Sequence, residues 1–187
     1  METISKSNSS GEIRLFLLWP INLGLYLGAA LSAIVVLIYA VNLDLFIEWW
    51  LGILLFLLVI VFGIVSSVKA RKIQNGFINF KAAFSNYFIT VAVGTGIATI
   101  VSILIFSFID TDAAVYLNEQ VLLVTKQSME RFGASQEIIT QALAEASTKD
   151  NFSVVNQLVS YVFRLAFYSL TGLVVALILK KSDTNQA

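Results

Sequence analysis

The chain has 187 residues, 58% of them hydrophobic and 13% charged, and its twelve basic and twelve acidic side chains cancel to a net charge of zero. A soluble domain carries about a quarter charged residues, so an ordinary globular domain is excluded, and a neutral chain has no bulk attraction to nucleic acid. It has no cysteine and no histidine, which removes disulfides, thiolate metal sites, the commonest general base and the commonest metal ligand.

The apolar residues cluster into four long blocks, and a helix of about 20 such residues crosses a bilayer core about 30 Å thick. The polar start, residues 1–13, reads as a disordered cytoplasmic tail. The first span covers about residues 20–42, with Trp19 as an interfacial aromatic and Pro20 in the first helical turn, where its missing N–H costs nothing. Pro20 and Asn22 interrupt any early apolar region, and "ALSA" is a weak cleavage site, so this is a span rather than a signal peptide. The second span covers about residues 45–68, with Glu48, Trp49 and Trp50 at its rim.

The bridge "VKARKIQNGFINFKAAF" comes next. It combines Lys69, Arg71, Lys72 and Lys81 with Phe77, Ile78, Phe80 and Phe84. Basic residues beside a span attract anionic lipid and set topology, and these four are candidate lipid or partner contacts. The third span covers about residues 85–109.

Residues 110–155 form an outer segment. Leu117, Val121, Val124, Ser128 and Phe132 recur at helical spacing, and Gly133 and Ser135 suit a helix end and the next N-cap. Ile138, Ile139, Ala142, Leu143 and Ala146 make a second stripe. The expectation is an amphipathic helical hairpin, its apolar faces either packed on each other or offered to a partner. The fourth span covers about residues 156–179, and residues 180–187 form a second cytoplasmic tail.

Direction is set by the basic residues. Lys6, Arg14, Lys69, Arg71, Lys72, Lys81, Lys180 and Lys181 fall on one side, and only Lys126, Arg131 and Lys149 on the other. Cytoplasmic loops carry the excess, so both termini are expected inside and residues 110–155 in the periplasm.

Arg164 interrupts the fourth span. Measured from Lys180, its Cα stands roughly 24 Å along the helix, about 6 Å short of the far edge of an average core, within reach of a snorkelling side chain. Gln157, Tyr161, Arg164, Tyr168 and Thr171 share one face as a polar seam, and Thr95, Thr99 and Ser102 make another on the third span. Arg164 is expected to pair with Asp110 or Glu48. Gly24, Gly28 and Ser32, and Gly94, Ala98 and Ser102, recur every four residues and permit close helix approach, within the bundle or between copies.

The order of "KIQNGFINFKAAF", "FID", "SMERFGASQEIITQALAEA" and the closing "KK" resembles the bacterial membrane family known as domain of unknown function 4199, common in Bacteroidetes. Members often carry a proline after the aspartate at the end of the third span; here Thr111 comes after Asp110. The resemblance implies the architecture and brings no activity with it.

The expected fold is all-α: a single polytopic membrane domain of four transmembrane helices, with an extracytoplasmic hairpin between the third and fourth. No nucleophile–base pair, metal cluster, cofactor motif or phosphate loop is present; Asp110 and Asp112 read as a turn. The expected function is that of a non-enzymatic accessory or scaffold subunit of the bacterial inner membrane. Its partners would be the lipid bilayer and a membrane protein or second copy, not nucleic acid. The alternative is a small oligomeric transporter or channel with an outward cavity lined by Arg164.

Overall fold

The computed structural model describes the backbone of residues 2–181 and the side chains of residues 18–181. It is all-helical: α1 (Glu2–Val41), α2 (Trp49–Ile73), α3 (Phe80–Ile103), α4 (Thr111–Arg131), α5 (Gln136–Ser147) and α6 (Val154–Leu179). Among the described residues four segments are long and apolar enough to cross a membrane: Leu18–Val41, Trp49–Ile73, Phe80–Ile109 and Val154–Leu179. The closing tail, residues 182–187, lies outside the described residues.

Several boundaries differ from those expected. α1 is helical from Glu2, where the sequence suggests a disordered tail over residues 1–13. Extending a helix already nucleated by a long apolar segment requires only propagation. Pro20 therefore lies inside a helix rather than in its first turn. The Thr90 hydroxyl donates to the Pro20 carbonyl oxygen at 2.9 Å, tying α1 to α3.

The second span begins later than expected. Leu43–Ile47 forms a 3-10 turn opened by Asn42, whose side chain accepts from the Asp44 amide at 2.9 Å. α2 then starts at Trp49 and continues to Ile73 through Lys69, Arg71 and Lys72. Lysine and arginine are good helix formers, and they complement the negative end of the helix dipole. α3 begins at Phe80 because Asn79 accepts from the Ala82 amide at 2.8 Å. Between these helices Asn75 and Gly76 take positive φ of 53° and 89°, and the Arg71 Nε donates to the Gly76 carbonyl oxygen at 2.9 Å.

α3 packs against each of the other three spans. Its seam with α1 is made of glycines. A Cβ on Gly24 would sit 2.8 Å from Val93, one on Gly28 2.8 Å from Ile97, and one on Gly94 2.5 Å from Leu27. The small-residue repeats thus serve contact within the bundle.

At the end carrying Lys69 the bundle is closed. Tyr87 has no exposed surface. Its ring lies against Gly63 of α2 and Gly172 of α6, and its hydroxyl is 2.7 Å from Thr171 Oγ1. Ser66 and Ser67 donate to the carbonyls of Asn86 and Ala83 at 3.0 and 2.8 Å. A two-bond bridge between Ile78 and Lys181 ties the end of α6 to the α2–α3 connection.

Candidate functional site: a cavity beside Arg164

α3 and α6 run antiparallel, and the polar seam of α6 meets α3 along most of its length. Gln157 is buried. Its Oε1 accepts from Ser102 at 2.7 Å, and its Nε2 donates to the Phe152 carbonyl oxygen at 2.7 Å and the Ser107 hydroxyl at 3.4 Å. The Tyr161 hydroxyl donates to the Ala92 carbonyl oxygen at 2.9 Å. Tyr168 stacks on Phe56 of α2, ring centroids 5.4 Å apart. Thr171 holds Tyr87. The two seams legible in the sequence are therefore one interface.

Arg164 does not adopt the expected pairing. Its Nη2 reaches Thr99 Oγ1 at 3.4 Å, and among the described residues no carboxylate is bonded to it. Asp110 is engaged elsewhere: Oδ2 accepts from the Tyr39 hydroxyl at 2.8 Å and Oδ1 from the Ala113 amide at 2.9 Å. Glu48 stands at the start of α2 without a side-chain capping bond.

Two geometric facts explain the correction. Gln157 opposes Ser102 and Thr171 opposes Tyr87, so Arg164 lies level with the middle of the third span, roughly 20 Å along the axis from Asp110 at about 1.5 Å per residue. In addition, residues Leu104–Ile109 form a π-helical turn closed by Asp110 N–H to the Ile105 carbonyl oxygen at 2.8 Å. A π turn inserts one extra residue and rotates the rest of the helix by roughly 100°. Asp110 consequently faces α1, where it opens α4, instead of α6.

What Arg164 faces is a cavity of about 410 Å³. Leu31 and Val35 of α1 and Leu55 and Val59 of α2 form an apolar wall. Thr95, Thr99, Ser102, Gln157, Ser160, Arg164 and Tyr168 give the opposite side its polarity, and no lining residue is acidic. The cavity runs from Phe46, Asn151 and Phe152, at the end carrying α4, down to Tyr168. It lies between the Tyr87 packing at one end of the bundle and the Phe46, Phe106 and Phe152 cluster at the other.

Outside the spans, α4 and α5 touch each other. Of the stripe expected on α4, Leu117 is fully buried, whereas Val124 is exposed and Phe132 is 91% exposed. On α5, Ile139 is buried and Ile138 exposed. α4 therefore packs on the spans by its first turns, around Phe106, Ala113, Ala114 and Leu117, and its far half meets α5 instead. Gly133 takes φ of 75° after α4, and Ser135 caps α5.

The basic bridge is partly self-engaged. The Lys69 ammonium lies over the Trp19 ring at 5.4 Å, Lys181 lies over Phe77 at 5.4 Å, and Arg71 is bonded within its own loop. Lys72 and Lys81 are exposed. Sequence reasoning missed Tyr39, Tyr87 and the buried Ser66–Asn86–Thr90 group. Asn86 and Thr90 are four residues apart, a polar repeat that could have announced the last of these.

A family model described as "Protein of unknown function (DUF4199)" matches residues 22–181. No curated protein matches the chain, and no solved structure does.

Proposed function

The chain belongs to this family of unknown function, and from its geometry we propose a multi-pass protein of the bacterial cytoplasmic membrane that performs no chemistry itself and docks a membrane-protein partner through α4 and α5. The observation that supports docking is a groove of about 540 Å³ between these two helices. Leu122, Leu123, Leu143 and Ala144 line it, with Glu119 and Lys126 at its edge. An apolar floor between opposite charges suits an amphipathic helix laid into it. The excess of lysine and arginine at the other end supports cytoplasmic termini and a periplasmic α4–α5. The absence of chemistry is supported by Asp110, whose carboxylate is committed to a helix cap and a tyrosine.

A photo-crosslinking residue at Leu123, introduced in the native membrane, tests the reading. A discrete protein adduct is expected there, and not from Ile64 in the second span. Adducts with lipid alone would remove the docking role.

A second reading has its own observation. The Arg164 cavity suits an anion-selective path if copies assemble. Anion flux into liposomes that is lost in Arg164→Ala would support it, and flux unchanged by that variant would remove it.

A further inference from the structure

Arg164 presents a problem of charge. A cation in the middle of a membrane bundle is costly unless it is paired or reaches water. Guanidinium offers five N–H donors in a fixed fork that matches a carboxylate. Among the described residues one of these is used, on a hydroxyl at the long limit of a hydrogen bond. Two further donors share the cavity: the hydroxyls of Ser160 and Tyr168 line it and have no partner among the described residues. By contrast Thr95 and Thr99 already donate to the carbonyls of Val91 and Thr95. Ser160, Arg164 and Tyr168 follow one another at four-residue spacing on α6, so the unspent donors share one face of that helix, with Ser160 and Arg164 exposed on it.

The opposite wall has another chemistry. Leu31, Val35, Leu55 and Val59 come from two other helices and present only hydrocarbon. The cavity thus has a cationic, donor-rich pole and an apolar flank. With no acidic lining residue, its missing element is an acceptor with one negative charge and an apolar body. A cavity of about 410 Å³ is within the range of small-ligand sites and admits an acid group with a medium-length alkyl chain.

We propose that this cavity binds a single-chain carboxylate amphiphile, its acid group on Arg164 and its chain along the α1–α2 wall. The arginine is then the recognition element of a ligand site, and Tyr168 and Ser160 orient the same acid group. Asn151 and Phe152 line the cavity at the end of the spans. The proposal requires neither a docked partner nor translocation, and it stands or falls apart from both.

Native mass spectrometry of the full chain, released from a neutral detergent, provides the test. Dodecanoate, dodecanol and dodecylammonium are offered separately at equal concentration. One dodecanoate per chain is expected, retained at least tenfold better than the other two. Arg164→Gln should erase that preference, and Arg164→Lys should keep part of it. Leu55→Trp, which fills the apolar wall and leaves the arginine in place, should lower dodecanoate retention at least tenfold. Each variant is compared at matched thermal stability, and Leu55→Trp provides an answer if the arginine variants fail to fold. Equal retention of dodecanoate and dodecanol by the wild-type chain would overturn the proposal. So would unchanged dodecanoate retention in both Arg164→Gln and Leu55→Trp.

Discussion

Tyr87 shows what single residues do in this bundle. Its ring has no exposed surface and fills the space left by two absent side chains, Gly63 and Gly172. A Cβ on Gly172 would come within 2.6 Å of the ring, so the tyrosine and the glycines are one packing unit from three helices. Removing the hydroxyl leaves the ring in place and forfeits the bond to Thr171. Tyr87→Phe should therefore lower stability by about 1 kcal/mol, the worth of one buried hydrogen bond. Gly172→Val should cost more, about 1–3 kcal/mol, because buried packing with no free volume must shift. Thermal unfolding in detergent measures both, and a Gly172→Val no less stable than Tyr87→Phe would contradict the clamp. This unit was not legible in the sequence. Glycines repeating every four residues announce a seam, as Gly24 and Gly28 did, but an isolated Gly63 and Gly172 announce nothing until a distant ring is placed between them. Gly24→Leu is predicted to be the most damaging change on the α1 seam, since a Cβ there would meet Val93 at 2.8 Å and the Thr90 backbone oxygen at 3.0 Å; the same melting series reads it.

The elements were most legible where composition alone sets them. Four apolar blocks became four span-length helices, and polar spacing placed the α6 seam on α3. Hydrophobic patterning could not show the π turn at Leu104–Ile109, because the rotation it introduces is a backbone choice within a uniformly apolar run. That turn is what separates Asp110 from its expected partner. The carboxylate instead accepts from the Ala113 amide at the start of α4 and from Tyr39, and these bonds, the amide first, hold its pKa below the ordinary 3.8. A carboxylate with a lowered folded pKa stabilises the fold fully above its unfolded value. That contribution disappears as pH falls through the lower, folded value. In labelled protein the Ala113 amide resonance should therefore titrate with a midpoint below 3.8. In Asp110→Asn the acid-range titration should vanish while the amide side chain still accepts, and Asp110→Ala should fray the first turn of α4 at every pH. A midpoint above the ordinary value would show that the cap does not form.

At the scale of the molecule, the two ends of the bundle differ in charge and in closure together. Lys69, Arg71, Lys72, Lys81 and Lys181 gather where Tyr87 and the Ile78–Lys181 bridge seal the helices. The cavity and the α4–α5 groove lie toward the other end. If basic residues remain cytoplasmic, the sealed end faces the cytoplasm and both recesses lie toward the periplasmic side. The opposite threading would place five cations across the membrane against the insertion preference and turn the cavity inward. The chain has no cysteine, so single introduced thiols report without background. Asn75 and Ser135 are both exposed, in the α2–α3 connection and before α5 respectively. Asn75→Cys should react with a membrane-impermeant maleimide only after the cytoplasmic membrane is opened. Ser135→Cys should react in cells whose outer membrane alone is permeabilised. Labelling of Asn75→Cys before that membrane is opened would invert the threading. The carboxylate site would then draw its ligand from the cytoplasm, and the docking surface would have to find its partner there.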